Sequence, residues 1–216
     1  MTIFEQLNTC IMKKILLITL IFIITKSLTA QTSFSDINSE HKWAWLGLDF
    51  SNTKLLGREG FNDPEQIINY YLPNINLLVF NEADKYNVEK AFRIYNYHPY
   101  SYYFDKTNRR TSTENLFADR DYILEESEVI DIINTYKFDK IKQDLALAFI
   151  VESLDKSLAK ETMWVTVINT KTKDILLLER MIEEPGGFGF RNYWASPIAR
   201  VIKKIKKKKY KQWKKM

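Results

Sequence analysis

The stretch Met163-Trp164-Val165-Thr166-Val167-Ile168, followed after a short polar loop by Ile175-Leu176-Leu177-Leu178, decides the fold of this chain. Both runs are rich in branched, aromatic or aliphatic residues and predict strands over 162–169 and 174–181. The loop 169–173 has a length suited to a hairpin, and a third strand pattern, over 144–153, comes just before the two runs. These segments therefore predict an antiparallel meander.

Helical patterns separate the strands upstream of this meander. Strands are predicted over 43–50 and 97–105, and helices are predicted from Pro64, within 75–95 in two pieces, over 129–136 and over 193–205. Pro73 is expected to stop or kink the first helix, and residues 107–118 are expected to form a loop. The order β-α-α-β-α-β-β-β-α predicts the α/β class. We expect a mixed sheet with helices packed on it, antiparallel toward the carboxyl terminus.

The beginning of the chain has the three parts of a secretory signal peptide. Met12-Lys13-Lys14 is the basic part, residues 15–24 are the apolar part, and Ala30 is the small residue before the expected cleavage. The apolar run is about half of the roughly 20 residues that a membrane-spanning helix needs, which favours cleavage over the alternative of an uncleaved anchor. We therefore predict a signal peptide over residues 1–30, with Met12 as the true start.

The rest of the chain divides into a predicted single α/β domain, 31–202, and a tail, 203–216, with nine lysines. The formal net charge of +5 becomes +3 without residues 1–30 and −6 when the nine tail lysines are also left out. The domain is therefore acidic and is not expected to bind nucleic acid. The tail has two interpretations, weak contact with an anionic membrane or a solvated, frayed terminus. The membrane contact would use Lys203, Lys204, Lys206, Lys207, Lys208 and Lys209.

Few residues are suited to metal binding or to catalysis by imidazole or thiolate. The chain has two histidines and one cysteine, Cys10, which lies upstream of the expected start. A Gly-x-Ser-x-Gly elbow, a calcium loop and a phosphate loop are all missing from the sequence. We therefore predict no metal site and no cofactor, and the composition favours a protein that is not an enzyme.

The first candidate binding surface follows the predicted strand 43–50. Asp49, Ser51, Asn52 and Lys54 supply its polar groups. Open α/β sheets bind ligands at the carboxyl ends of their strands, which favours a site here. The alternative is an ordinary turn, because Ser, Asn and Thr are common turn formers.

The second candidate surface is the glycine-rich turn Pro185-Gly186-Gly187-Phe188-Gly189-Phe190-Arg191-Asn192-Tyr193-Trp194-Ala195, which leads into the last predicted helix. The backbone at Gly187 and Gly189, together with Arg191 and Asn192, could hold an anion at the start of that helix. The alternative is structural, with glycines that permit positive φ and aromatic residues that close the edge of the core.

Five tyrosines lie close together in the sequence, at positions 95, 97, 100, 102 and 103. Their rings could stack on sugars or bases. The alternative is an aromatic edge strand, in which the rings pair across strands.

Three runs carry a resemblance to known proteins: Phe149-Ile150-Val151-Glu152-Ser153, Met163-Trp164-Val165-Thr166-Val167, and the run from Gly186 to Ala195. They resemble small exported proteins of unknown function from Bacteroidota-type bacteria, a resemblance that names no activity. The order of elements looks like the envelope domain of the curli-secretion lipoprotein and the amino-terminal part of the Tol-system propeller protein. This second likeness implies a partner-binding scaffold rather than a catalyst. Gln31 stands where a lipoprotein has its lipid-attachment cysteine.

These observations favour a periplasmic or secreted envelope protein that carries no lipid. Its expected role is non-catalytic binding of an envelope protein or another cell-surface component. The alternative is a small-ligand binder or hydrolase with a polar site at the carboxyl edge of the sheet, which a pocket lined by Asp49, Ser51, Asn52 and Arg191 would favour. A third hypothesis is binding of polyanions through the tail alone.

Overall fold

In the residues that the structure describes, seven strands form one sheet with helices on both of its faces, which confirms the predicted mixed α/β class. The computed structural model describes residues 33–109 and 112–216. The predicted signal peptide, its start at Met12 and its cleavage after Ala30 lie outside these residues. In the described part of the chain, the helices are too short or too polar for any of them to cross a membrane.

The elements follow the predicted alternation, with additional short pieces. The strands are β1 (Trp43–Asp49), β2 (Lys54–Leu56), β3 (Tyr97–Pro99), β4 (Phe117–Ala118), β5 (Leu145–Asp155), β6 (Lys160–Asn169) and β7 (Ile175–Glu183). The α-helices are α1 (Pro64–Gln66), α2 (Leu72–Asn81), α3 (Val88–Phe92), α4 (Asp105–Asn108), α5 (Glu126–Asn134), α6 (Phe190–Lys204) and α7 (Tyr210–Trp213). Two 3₁₀ helices, Phe34–Asp36 and Thr113–Asn115, and two π-helical turns, Ile67–Tyr71 and Ile205–Lys209, complete the set.

The longest strand, β5, organises the sheet. Along one side it pairs in parallel first with β1 and then with β2, so these two strands lie end to end along it. Beyond them, β3 pairs with β1 and β4 pairs with β2, again in parallel. Along its other side, β5 begins the antiparallel meander with β6 and β7. The predicted division into early parallel and late antiparallel pairing is thus present.

Side chains of β5 alternate between two apolar layers because successive residues of a strand point to opposite faces. Leu147 and Phe149 lie in the larger layer, which the elements from α1 to α3 and the chain from α6 to α7 help to form. Ala148 and Ile150 lie in the smaller layer, which includes residues of α5. Every residue of β5 is buried, as expected for a central strand covered on both faces.

The structure differs from the prediction in its shortest elements. β2 and β4 were not predicted, because two or three residues are too few to show an alternating pattern. β4 lies in the stretch 107–118 that was expected to be a loop. The strand predicted over 97–105 ends at Pro99, and α4 begins at Asp105.

The expectation that Pro73 stops the first helix is wrong. Helical structure runs from α1 through the π-helical turn 67–71 into α2, with Pro73 near the start of α2. A proline has no N–H to donate, which breaks the regular α-helical ladder. The π-helical turn changes the hydrogen-bond pattern directly before the proline, where that donor would be missing.

The last helix, predicted over 193–205, continues to Trp213 and so lies partly beyond residue 202, the predicted end of the domain. Helix α6, the π-helical turn 205–209 and α7 follow one another without a break, and we call them the terminal helix. Ile205 is fully buried and Trp213 is only 1% exposed. The Trp213 ring stacks on Phe92 and packs edge-on against Phe34, with centroid distances of 5.8 and 5.6 Å. The interpretation of this segment as a frayed terminus is therefore wrong.

Candidate functional site

Asp49, the acidic residue of the first candidate surface, lies in the interior of the fold. The hydroxyl of Tyr136, just beyond α5, donates a hydrogen bond of 2.6 Å to Asp49 Oδ2, and the Ser51 amide donates one of 2.9 Å to Oδ1. Burial raises the pKa of Asp49, although these hydrogen bonds oppose the shift. Burial is the largest cause of the raised pKa of Tyr136, and the nearby Asp49 carboxylate raises it further. Both oxygens of this carboxyl group therefore accept hydrogen bonds from within the protein.

Two buried asparagines complete the outer edge of β1, where β3 is too short to pair with the whole strand. Asn108 accepts a 2.8 Å hydrogen bond from the Phe50 amide and donates one of 3.1 Å to the Leu48 carbonyl. Asn76 accepts a 2.9 Å bond from the Leu48 amide. The carboxamide of Asn108 therefore makes the two hydrogen bonds that the backbone of a neighbouring strand would make here. The sequence analysis missed both asparagines, because nothing in their local pattern distinguishes them from turn residues.

Of the remaining residues of the first surface, Ser51 and Asn52 lie between β1 and β2, and Lys54 is the first residue of β2. Lys54 Nζ donates to the main-chain carbonyl of Asn115 and is half-buried, whereas Asn52 is exposed. The Thr53 hydroxyl donates a 2.6 Å bond to the Val151 carbonyl of β5. Of the four predicted residues, the exposed Asn52 lies most open to solvent.

The glycine-rich turn combines a fixed backbone with one fully exposed ring. Gly187 and Gly189 have φ values of +110° and +77°, which favour glycine. The Gly186 amide donates a 2.7 Å bond to the Ser196 hydroxyl of α6, which holds the turn against the helix. Phe188, between the two positive-φ glycines, is 95% exposed.

Aromatic rings beneath the turn form its base. Trp194 is buried and stacks on Phe61 at a centroid distance of 6.1 Å, and Phe190 stacks on Tyr71 at 4.6 Å. A surface pocket of about 330 Å³ opens here, lined by Lys156, Gly187, Gly189, Phe190, Tyr193 and Trp194. Arg191 and Asn192 are exposed and hydrogen-bond to each other at 3.3 Å. The turn therefore has both features of the structural alternative, glycines at positive φ and aromatic rings that close the edge of the core.

The two candidate surfaces do not come together. Asp49 bonds to Tyr136, which belongs to the smaller apolar layer, whereas Trp194 at the start of α6 belongs to the larger layer on the other face of the sheet. The pocket at the turn is lined by Gly187 and Gly189 and includes none of the residues of the first surface. The described residues therefore do not form the pocket lined by Asp49, Ser51, Asn52 and Arg191 that would have favoured a small-ligand binder.

The nine lysines of residues 203–216 divide into two groups. Lys204 and Lys209 form ion pairs with Glu183 and Glu179 of β7, and Lys214 Nζ donates a 2.6 Å bond to the Ile37 carbonyl. The other six are exposed on the terminal helix or, for Lys215, just after it, and we call them the lysine ridge: Lys203, Lys206, Lys207, Lys208, Lys211 and Lys215. The carboxylates of β7 therefore neutralise Lys204 and Lys209, two of the six lysines predicted to contact a membrane.

A buried ion pair on the sheet was also missed. Glu152 is fully buried, accepts bonds of 2.7 and 2.6 Å from the Arg180 guanidinium, and accepts a 3.0 Å bond from Trp164 Nε1. The three residues lie on neighbouring strands, so only the strand register brings them together. Elsewhere, residues 33–109 and 112–216 contain no cluster of three or more His, Cys, Asp or Glu side chains that could hold a metal ion.

The fold defines a mixed α/β protein with a largely parallel centre and an antiparallel meander. Comparison with known protein families and with curated protein sequences gives no match. Among solved structures, the LpoB C-terminal domain from Salmonella enterica has a TM-score of 0.30 and 9% identity, over 68% of this chain and 85% of that chain. Lipoprotein GNA1162 from Neisseria meningitidis has a TM-score of 0.34 and 9% identity, over 78% and 98%. Neither likeness is high enough to carry an argument about function.

Proposed function

We propose that this chain is an exported, non-catalytic envelope protein that binds another envelope component through its glycine-rich turn. The observation that carries the proposal is the exposure of Phe188, which is 95% accessible to solvent in the free protein. Burying a phenylalanine side chain contributes about 1.5–3 kcal/mol to association. Aromatic anchors of this kind often supply most of the binding free energy of an interface.

The turn is suited to binding because it is already ordered. The stacked pairs Trp194–Phe61 and Phe190–Tyr71 hold its base, and the Ser196 hydroxyl holds its backbone. A partner that covers Phe188 therefore loses little free energy to ordering of the loop.

Further exposed apolar side chains extend the surface around Phe188. Tyr70 is exposed and packs edge-on against Tyr71, which itself stacks on Phe190. Leu158 is exposed in the hairpin between β5 and β6, whose Lys156 lines the pocket at the turn. A cluster of exposed apolar groups at one end of a domain is typical of a protein-binding surface.

The test places a photo-crosslinking phenylalanine analogue at position 188 and, as a matched control, at position 95, where Tyr95 is 81% exposed. We expect one envelope component to crosslink from position 188 and not from position 95. Its affinity for the purified chain should fall at least about tenfold with Phe188→Ala and stay unchanged with Tyr95→Ala. Equal crosslinking from both positions, or unchanged affinity of Phe188→Ala, would refute the proposed surface.

Export is a separate part of the proposal and has its own test. The basic, apolar and small-residue parts over residues 12–30 support cleavage after Ala30. The mass of the protein isolated from its native host should correspond to a chain that begins at Gln31. A mass that includes residues 15–24 would contradict cleavage and favour the uncleaved anchor.

Weak contact with an anionic membrane is the last part of the proposal, and the lysine ridge supports it. Five exposed lysines lie on the terminal helix and Lys215 follows it, and each lysine near an anionic surface contributes about 1 kcal/mol. We expect cosedimentation with vesicles that contain phosphatidylglycerol, lost at high salt because the charges are screened.

A matched pair of double variants tests this contact at constant net charge. Lys203→Gln with Lys207→Gln removes two charges from the ridge, whereas Lys42→Gln with Lys142→Gln removes two exposed charges elsewhere. We expect only the ridge variant to bind vesicles less tightly. Equal losses in both would show that net charge, rather than the ridge, controls binding.

A further inference from the structure

A second surface, independent of the proposed partner surface, lies beside the edge strand β3. A groove of about 620 Å³ has residues 99–103 as one wall and Lys137 with residues 139–141 as the other. Three tyrosines, Tyr100, Tyr102 and Tyr103, supply its aromatic lining, and we call it the tyrosine groove. Its volume is in the range of small-molecule sites.

Hydrogen bonds hold the two walls of the groove in place. The Tyr103 hydroxyl donates a 3.1 Å bond to the Lys137 carbonyl and accepts a 3.0 Å bond from the Lys137 amide, which joins one wall to the other. The Tyr100 amide donates a 2.7 Å bond to the carbonyl of the buried Trp45. The Ser101 carbonyl accepts a 3.0 Å bond from Asn76. The groove is therefore formed before any ligand binds.

The tyrosines differ in what they can offer a ligand. The Tyr100 hydroxyl donates to Gln143 at 2.8 Å, and the Tyr103 hydroxyl is held by Lys137, so both hydroxyls have partners within the protein. Burial raises the pKa of Tyr103 to about 12, which keeps its phenol neutral. Tyr102 is 71% exposed. The groove thus combines two fixed rings with one accessible ring.

Charged side chains form the rim. Lys137, Asp139 and Lys140 line the groove and are all exposed. Across residues 33–109 and 112–216, no ion pair engages these three side chains. The rim therefore offers two cationic donors and one carboxylate acceptor, with a net positive charge.

We propose that the tyrosine groove binds an acidic saccharide. A saccharide ring has apolar C–H faces that pack on aromatic rings and a hydroxyl rim that needs polar partners, and the groove supplies both. The Asp139 carboxylate accepts hydrogen bonds from sugar hydroxyls. Lys137 and Lys140 pair with the carboxylate of a uronic acid. Such charge-assisted hydrogen bonds are stronger than hydrogen bonds between neutral groups.

Titration of the ¹⁵N-labelled chain with tetragalacturonate, followed by NMR, tests the proposal. Cellotetraose is the neutral saccharide control, and uridine monophosphate tests whether the rings select a base. We expect shift changes that cluster at residues 99–103 and 137–141. Tetragalacturonate should bind at least about tenfold more tightly than the neutral cellotetraose, a difference equal to one charge-assisted contact, and also more tightly than uridine monophosphate.

Variants with exposed side chains keep the test free of folding effects. Tyr102→Ala and Lys140→Gln should each weaken tetragalacturonate binding about tenfold, whereas Tyr95→Ala and Lys142→Gln, which remove an exposed tyrosine and an exposed lysine outside the groove, should leave it unchanged. No saturable binding, equal binding of cellotetraose, tighter binding of uridine monophosphate, or equal losses in the control variants would each overturn the proposal. Phe188→Ala should bind tetragalacturonate normally, which separates this site from the partner surface.

Discussion

The Tyr136 hydroxyl donates a 2.6 Å hydrogen bond to the buried carboxylate of Asp49, and so links the chain just after α5 to the carboxyl end of β1. Asp49 is the acidic residue of the first candidate surface, and it stands where α/β sheets place their ligands. Its two oxygens are instead bonded to Tyr136 and to the Ser51 amide. Its first role is therefore to hold the chain just after α5 against the end of β1.

Removal of the Asp49 carboxyl group should destabilise the fold. Asp49→Ala leaves the buried Tyr136 hydroxyl and the Ser51 amide without their acceptor, which costs about 1–3 kcal/mol for each group. Asp49→Asn keeps an acceptor for Tyr136 and should cost much less. Urea unfolding at neutral pH measures both, with the exposed Asp84→Asn as the control. Equal losses in Asp49→Asn and Asp49→Ala would contradict the role of the hydrogen bonds.

The same pair makes a prediction about pH. Burial is the largest effect on the pKa of Asp49 and raises it above the unfolded value of about 4. The stability associated with the protonated form is therefore complete below about pH 4 and is lost as the pH rises through the folded pKa. The free energy of unfolding of Asp49→Asn should therefore rise relative to that of the original protein as the pH increases from 4 to 8. If the difference in free energy of unfolding between the two proteins stayed constant over this range, Asp49 would have an unshifted pKa.

Glu161 in β6 should weaken the fold at neutral pH. Both of its carboxyl oxygens are buried without a hydrogen-bond partner in the described part of the chain, and burial raises its pKa well above the usual value. Its stability contribution is therefore also lost as the pH rises through the folded pKa. Glu161→Met removes the unpaired polar group and should increase the free energy of unfolding by about 1–3 kcal/mol. Thermal and urea unfolding measure the increase.

Glu161→Gln separates ionisation from polarity at this position. The glutamine cannot ionise but still has an unpaired polar group, so this variant should flatten the pH dependence with a smaller gain than Glu161→Met. The exposed Glu114→Gln is the control for charge. A loss of stability in both Glu161 variants would mean that the carboxyl group has a favourable partner.

Asn108→Ala should destabilise the outer edge of β1. The Leu48 carbonyl and the Phe50 amide would both lose their partner in the interior, at about 1–3 kcal/mol for each group. Hydrogen exchange should also become faster at the Phe50 amide, because this amide donates directly to Asn108. Asn115→Ala, at an exposed asparagine, should change neither measurement.

Arg180→Met should be strongly destabilising because it leaves the buried Glu152 carboxylate without its cation, which costs about 3–5 kcal/mol. The double variant with Glu152→Gln removes that charge and keeps an acceptor for Trp164 Nε1, so it should recover much of the loss. A double-mutant cycle by urea unfolding measures the coupling. Additive losses would show that the two side chains act independently.

The parts of this structure that the sequence predicts are those with long, local patterns. The β6–β7 hairpin and α5 are apparent from runs of apolar residues, and the glycine-rich turn is apparent from its composition. The roles of Asn76 and Asn108 depend on which strand edge they reach, and local pattern carries no such information. The nine lysines look alike in sequence, yet the position of the terminal helix on β7 gives Lys204 and Lys209 their glutamate partners. Tertiary contacts, rather than residue type, separate them from the lysine ridge.

The packing of Trp213 on Phe34, and the bond from Lys214 to the Ile37 carbonyl, join segments that the ribosome makes about 180 residues apart. Residues 34–37 therefore cannot dock until synthesis has reached the terminal helix. Contacts of such long range form slowly, because a large loop must close first. A growing chain with this arrangement therefore leaves the packing surface of residues 34–37 uncovered until the terminal helix has been made.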